Sequence, residues 1–290
     1  MRIDLHTHSD RSDGTDHPRD LVAYAHTVGI DVLAITDHDT TVGWADALQA
    51  AAGAGIGLVP GIEISCEHRG MGMHLLAYLP DPTYEPLRAE LRRVLDGRAS
   101  RLPATLELLR DLGIDITPAD VHAAAGPAEA TGRPHVADAM IAKGIVANRD
   151  QAFARYLSAG RPAYVQRYAA DLVSMIGVVA DAGGVTVLAH PWARRGPSAV
   201  DSDALAALRD HGLIGLEADH QGHDPQMRAA LHGIAADLGL IATGSSDYHG
   251  SGKLDCNLGC NTTAPDQFDR LLDAARAAAA KAGRGAEAAL

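Results

Sequence analysis

The segment Arg2-Ile3-Asp4-Leu5-His6-Thr7-His8 decides how this chain is read. Residues 2–5 have the look of a short, largely apolar strand, and that strand runs straight into two histidines separated by one residue. In extended backbone, residues two apart point the same way, so both imidazoles can face one point in space. The arrangement then recurs. An apolar run at 31–36 leads into Asp37-His38-Asp39, and the run at 56–64 ends on Gly61-Ile62-Glu63. The run at 185–189 leads into His190-Pro191, and that at 239–243 leads to Ser246-Asp247-Tyr248-His249. Taken singly, a loop histidine is usually solvated, Asp37 is an ordinary helix cap and Glu63 an ordinary surface carboxylate. Five apolar strands that each end in imidazole or carboxylate are hard to assign to chance.

Two further runs, 73–79 and 213–218, bring the strand count to seven. Between the strands lie helical periods such as 18–28. There Pro18 opens the helix, Leu21, Val22, Ala25 and Val28 share one face, and Gly29 stops it. Alternating strands and helices predict an α/β protein, and seven strands favour a barrel over an open sheet. In such a barrel the C-terminal strand ends converge on one mouth. The stretch 84–164 breaks the rhythm: 102–112, 134–144 and 151–157 read as helices with no strand among them. The expected organisation is a barrel from 1–83 and 165–290, with 84–164 as a small helical insert or cap. The end, 265–290, reads as an Ala-rich amphipathic helix fraying into a Gly/Ala tail.

Composition narrows the function classes. A chain of 290 residues, 47% hydrophobic but only 4% aromatic, can bury a full core built from Ala, Val, Leu and Ile. The net charge of −12 argues against broad electrostatic binding of duplex nucleic acid while leaving room for a locally positive pocket. No opening segment reads as a secretory signal and no apolar run reaches spanning length, so a soluble cytoplasmic protein with no membrane partner is expected. Three cysteines (Cys66, Cys256, Cys260) are too few and odd in number for a disulfide framework and read as small buried thiols.

The imidazole and carboxylate candidates are His6, His8, His38, His74, His190, His249, Asp13, Glu63 and Asp247. His74 is the exception to the pattern, because it starts an apolar run instead of ending one. Asp13, in Ser12-Asp13-Gly14-Thr15, sits in what is otherwise an ordinary turn. Imidazole with carboxylate and no thiolate suits Mn²⁺, Fe²⁺ or Zn²⁺. Nine donors are too many for one ion and suit two or three. The ions would carry more charge than the carboxylates cancel, giving the mouth a field that attracts a phosphate ester. A bridging water deprotonated near neutral pH is the expected nucleophile, as metal-activated hydroxide attacking phosphorus. Gly244-Ser245-Ser246 lacks the Gly-x-Ser-x-Gly elbow of a covalent serine hydrolase.

These ordered motifs resemble the PHP (polymerase and histidinol phosphatase) family, closest to its stand-alone phosphoesterases. The likeness extends to Gly132-Arg133-Pro134-His135 and to Gly160-Arg161-Pro162-Ala163-Tyr164-Val165. It implies a distorted (β/α)₇ TIM-like barrel with a trinuclear metal centre, manganese being the foremost candidate. By resemblance, His6, His8, Glu63 and Asp247 would hold one ion. Glu63 would bridge to a second with His74 and His190, and Asp13, His38 and His249 would hold the third. Many relatives carry His where this chain has Asp13. Arg133 and His135 match positions used near substrate phosphate, and Arg11 and Lys253 lie close to metal motifs as further phosphate contacts. Glu217 and His220 follow the sixth strand without an assigned role.

The expected activity is hydrolysis of a nucleotide phosphate monoester, foremost a 3′,5′-nucleotide bisphosphate such as pAp giving AMP and phosphate. The alternatives are a 5′-to-3′ exonuclease on short oligonucleotides, a histidinol-phosphate phosphatase and, last, a non-catalytic metal-stabilised binding module.

Overall fold

The computed structural model describes residues 1–193 and 196–285. Among the described residues there are eight strands: β1 (Ile3–Asp4), β2 (Val32–Ile35), β3 (Gly57–His68), β4 (Met71–Tyr78), β5 (Ala170–Asp171), β6 (Val185–Leu188), β7 (Gly215–Asp219) and β8 (Ile241–Gly244). Seven of them form one sheet in the order β1-β2-β3-β4-β6-β7-β8, and the two-residue β5 pairs with β3. Just beyond β1 and β8 a parallel bridge joins Thr7 to Tyr248, and the His8 N–H donates to the Tyr248 carbonyl at 2.9 Å. The sheet thereby comes nearly full circle, as the seven-strand barrel expectation requires.

One strand runs against the others. β4 pairs antiparallel with both β3 and β6. It follows β3 through a tight turn at Arg69-Gly70, where both residues have positive φ, and this hairpin carries β3 on to His68, past the run expected from sequence. The reversal also explains His74. In a reversed strand the N-terminal end lies at the mouth, so a mouth-facing residue must come early in the run. The two-residue β5 escaped the sequence reading because two residues show no periodicity.

Alternation along the strands sorts side chains between two cores. Val32 and Ala34, Leu76 and Tyr78, and Val185 and Val187 belong to one cluster with Ile3, Leu5 and Val59. Leu33, Ile35, Ile62, Ile64, Leu75, Ala77, Leu188 and Leu216 belong to another, packed on the surrounding helices. Those helices include α1 (Pro18–Thr27), which the His17 side chain caps, and α2 (Trp44–Ala54).

The stretch 84–164 holds α3 (Glu85–Ser100), α4 (Leu102–Asp111), α5 (Pro118–Ala125), α6 (Arg133–Ala142), α7 (Arg149–Ala152) and one π turn at Phe153–Leu157. It contains no strand. α3 is shared: Leu87, Leu91 and Val94 pack into the outer barrel core, while a separate apolar cluster starts at Leu102 and runs to Ala163. After it come α8 (Leu172–Asp181), α9 (Ser202–Asp210), α10 (Pro225–Leu238) and α11 (Pro265–Lys281). α11 ends before the Gly/Ala tail, of which residues 286–290 lie outside the described residues. Among the described residues no helix is long and apolar enough to cross a membrane. Cys66 and Cys256 are buried as expected, whereas Cys260 is exposed.

Inside the barrel, the fully buried Tyr78 donates its hydroxyl to the Leu5 carbonyl at 2.9 Å, tying β4 across to the end of β1. Tyr78→Phe leaves that carbonyl without its buried donor and should cost about 1–3 kcal/mol, read as a lower urea midpoint at unchanged slope.

Candidate metal centre

Four side chains from three places in the chain meet at the barrel mouth. His6 and His8 leave β1, Glu63 stands on β3 and Asp247 follows β8. His6 Nε2 and His8 Nε2 are 3.1 Å apart. Glu63 Oε2 lies 3.2 Å from the first and 3.1 Å from the second, and Asp247 Oδ1 lies 3.5 and 3.4 Å from the same two atoms. Four ligands arranged tetrahedrally about 2 Å from a common centre are roughly 3.3 Å from one another, so these spacings match a single ion's donor set. Two imidazole nitrogens facing each other at such range need a cation or a proton between them. His8 Nδ1 is also buried without a hydrogen-bond partner, 3.7 Å from Asp13. The residues fit a divalent ion.

Glu63 reaches further. Its Oε1 lies 2.7 Å from His74 Nδ1 and 2.9 Å from His190 Nε2, and its Oε2 lies 3.1 Å from His38 Nδ1. One carboxylate is therefore shared among five imidazoles. A third gathering comprises His8, Asp13, His38 and His249, whose ligand atoms all lie within 4.8 Å of one another. His249 Nε2 is 3.3 Å from Asp13 Oδ1 and His38 Nε2 is 3.6 Å from Asp13 Oδ2. All nine sequence candidates thus converge on one mouth. The grouping around Glu63 Oε1 is looser than the resemblance implies, since His74 clusters with His38 and His190 with His6 and Glu217.

The electrostatics prepare these groups for a cation. Burial opposes the charge on Glu63, but His74, His38 and His6 outweigh it and hold the carboxyl well below its usual range. Asp13, buried beside His38 and His249, and Asp247, buried beside Lys253 and His6, are held low in the same way. Burial pushes His38 down to about 3 and His190 down to about 4. His8 is the opposite case: burial is overcome by Asp247 and Glu63, which raise it to about 9. There a proton competes with a metal ion for the same place.

A surrounding layer fixes these orientations, and the sequence left it unread. Glu217 on β7 accepts from His6 Nδ1 at 3.3 Å and from the His190 N–H at 2.9 Å, which turns His6 Nε2 inward. His220 accepts from the Gly222 N–H through Nδ1, so its Nε2 donates to Asp247 Oδ2 at 3.2 Å. Asp37 receives Ser9 and Ser12 and pins the loop after β1. Asp39, His190 and Asp247 all have positive φ, a strained backbone held by these contacts.

Beside the donors lies a narrow cavity whose lining includes Arg11, Asp13, His38, Arg98, Glu129 and His135. Arg98 is buried against Asp39 at 2.7 Å. Burial, with Arg133, Arg167 and Arg98 alongside, pushes the Arg101 guanidinium down to about 8, and burial next to Arg98 pushes Arg167 down to about 10. Guanidinium keeps its proton in proteins. The depressed values therefore register burial first and like-charge crowding second. Arg98, Arg101 and Arg167 were not singled out from sequence, although Arg98 and Arg101 fall one helical turn apart in Gly97-Arg98-Ala99-Ser100-Arg101.

The other phosphate candidates are placed less simply. Arg133 lies over the rings of Phe153 and Tyr164 and donates to the Leu157 carbonyl at 3.0 Å. His135 commits both nitrogens to backbone, Nδ1 accepting from Gly132 N–H at 2.9 Å and Nε2 donating to Ser12 O at 2.8 Å. Arg11 meets His17 at 2.6 Å and Asp46 at 3.4 Å, and Lys253 contacts Asp247 Oδ2.

Residues 4–248 match the model of the PHP domain. The chain belongs to the PHP domain family. It is 33% identical over 256 residues to a 5′-3′ exoribonuclease of Haemophilus influenzae, covering 86% of this chain and 90% of the relative. It is 32% identical over 260 residues to a 3′,5′-nucleoside bisphosphate phosphatase of Chromobacterium violaceum, covering 87% and 88%. A solved structure from Bifidobacterium adolescentis, provisionally assigned as a metal-dependent phosphoesterase, superposes with a TM-score of 0.86 at 38% identity, covering 94% of this chain and 96% of that one. This PHP protein is a metal-dependent hydrolase of phosphate esters.

Asp39 links the mouth to the arginines, and its carboxyl is held low: burial opposes its charge, but Arg98 and Arg167 outweigh it. A depressed group stabilises the fold above its unfolded value and loses that contribution as pH falls through the lower folded one. Asp39→Asn strands Arg98 and should cost about 3–5 kcal/mol near neutrality. In urea titrations the gap to wild type should narrow below pH about 4, the unfolded carboxyl range.

Proposed function

We propose that this PHP protein is a phosphatase that removes one phosphate from a nucleotide carrying two, foremost a 3′,5′-bisphosphate of the pAp type. The observation that carries the reading is a donor cluster beside a group of arginines, with Asp13, His38 and Arg98 lining one cavity and Arg101, Arg133 and Arg167 grouped around Arg98. The donor cluster is one place for a phosphate: there His6, His8, Glu63 and Asp247 would hold one ion, His74 and His190 would join Glu63 at a second, and Asp13, His38 and His249 would hold a third. The arginine group is the other. A monophosphate satisfies one place only.

Bound ions, with Mn²⁺ the best match to the donor set, supply an activated water and neutralise charge on the phosphate under attack. The chain's own residues do the rest. Glu217 and His220 hold His6 and Asp247 in their binding orientations. The arginines take the remote phosphate through forked hydrogen bonds, which places the reacting phosphate against the donors. Segment 84–164, which supplies three of the four arginines, acts as the cap over the mouth.

Mn²⁺-loaded protein should release phosphate from pAp well ahead of AMP or histidinol phosphate. Prolonged treatment with a chelator should abolish that release, and Mn²⁺ should restore it. If AMP and pAp are hydrolysed alike, the two-phosphate reading fails. Arg101→Met should lower kcat/KM for pAp about 10- to 100-fold, the worth of one charged hydrogen bond, with a much smaller effect on a monophosphate.

A second reading draws on the H. influenzae relative. The 5′-phosphorylated end of a short RNA also offers a terminal phosphate and a neighbouring ester, and would occupy the same two places. Stepwise shortening of a 5′-phosphorylated oligonucleotide, faster than phosphate release from pAp, would favour it.

A further inference from the structure

The loops that carry Asp13, His38 and His249 are all fastened to segment 84–164. Arg149, at the start of α7, donates from Nη1 to the carbonyl oxygen of Asp13 at 2.7 Å. The same guanidinium grips Asp138 of α6 with two parallel bonds, Nε to Oδ1 and Nη2 to Oδ2, each 2.7 Å. Gly252, in the turn that follows His249, lies against it so closely that a Cβ there would stand 2.5 Å from Nη1 and 2.7 Å from Cζ. Nearby, His135 of α6 donates to the Ser12 carbonyl. The Glu129 N–H donates to Arg11 O at 3.2 Å, and the Glu129 carboxylate accepts from Thr40, two residues beyond His38. The His6–His8–Glu63–Asp247 group has a different set of anchors. Glu217, His220, the Tyr248 carbonyl and Lys253 hold it, and all of these lie in the barrel or its loops.

We propose that Arg149 is a positioning residue for the Asp13–His38–His249 group, so that the affinity of this one ion site depends on how segment 84–164 is seated. The proposal rests on the reading above that these three side chains hold an ion. The physical case is geometric. Asp138 fixes the plane of the guanidinium fork, leaving one N–H aimed at Asp13. The carbonyl and carboxylate of Asp13 belong to one residue, so pinning the first restricts the second. Gly14 adds to the restriction: a Cβ there would stand 2.3 Å from the His8 carbonyl oxygen, so the loop passes hard against β1's extension. With the Asp13 loop bonded on one side and Gly252 packed on another, the guanidinium sets the spacing between the loops that carry Asp13 and His249. A lysine, as a single-point donor, cannot keep the Asp138 fork and the Asp13 bond together.

The test is Mn²⁺ binding by the full chain, followed by calorimetric titration and by metal content after dialysis at fixed free Mn²⁺, with thermal unfolding alongside. Arg149→Met should weaken one class of Mn²⁺ sites about 10- to 100-fold, as expected on losing an outer-layer partner, and leave the remaining classes at wild-type affinity. Gly252→Ala, which presses on the guanidinium from the other side with Arg149 and Asp138 both present, should move the same class in the same direction. It carries the test should Arg149→Met fail to fold. Arg149→Lys should not restore the lost class. Unchanged binding in the two disruptive variants, or equal weakening of every class, overturns the proposal. Asp13→Ala separates the two levels. If it removes one class while Arg149→Met and Gly252→Ala remove none, only the coupling fails. If it removes none, the three-donor reading fails and the coupling with it.

Discussion

The mouth of this barrel depends on a single buried carboxylate. Glu63 is 1% exposed and places one oxygen or the other within 3.2 Å of His6, His8, His38, His74 and His190. A lone buried charge of that kind would be heavily penalised. Here the imidazoles drawn around it offset the penalty, and the requirement to surround it dictates where strands must end. β1, β2 and β6 each deliver a histidine just past their last paired residue. β4 has to run backwards to bring His74 opposite Ser65, two pairs from the level of Glu63 and Leu76 and so on the same face of the sheet. The irregular strand direction and the shared carboxylate are two sides of one constraint.

Much of this was legible in the chain. The repeated ending of apolar runs in His, Asp or Glu gave both the barrel mouth and the donor residues, because period-two alternation and strand ends leave strong local signals. His74 looked anomalous only because local sequence carries no sign of strand direction, which is set by the β3–β4 hairpin. The outer layer left no such trace. Glu217 sits inside an apolar strand and looks like an interruption, and His220 looks like one more loop histidine. Their work is defined by partners 211 and 27 residues away. Arg98 and Arg101 read as ordinary charges on a helix, since nothing in a helical repeat reveals that both become buried and crowded by Arg133 and Arg167.

The two halves of the cavity solve opposite electrostatic problems. The barrel contributes carboxylates and imidazoles, a donor set that fits cations. The α3–α7 stretch and the segment after it contribute guanidinium groups, which on the proposed reading take an anion. Asp39 stands between them, bonded to Arg98 and to the Ser65 N–H and hydroxyl, one residue after His38. It pairs with Arg98 and is also held low by Arg167. A chain of net charge −12 thus still gathers Arg98, Arg101, Arg133 and Arg167 close to one another beside the mouth.

That division also assigns the helices a structural duty beyond binding. α4 to α7 have their own apolar cluster, so they can hold together as a unit while their attachment to the barrel stays polar. The attachments fall on Ser12, Asp13, Thr40 and Gly252, beside the third donor group and away from His6 and Glu63. A polar seam breaks and reforms at lower cost than an apolar one, because water replaces its hydrogen bonds. Under the coupling proposed above, loss of these contacts reaches the loops of Asp13 and His249 before it reaches His6 and Glu63.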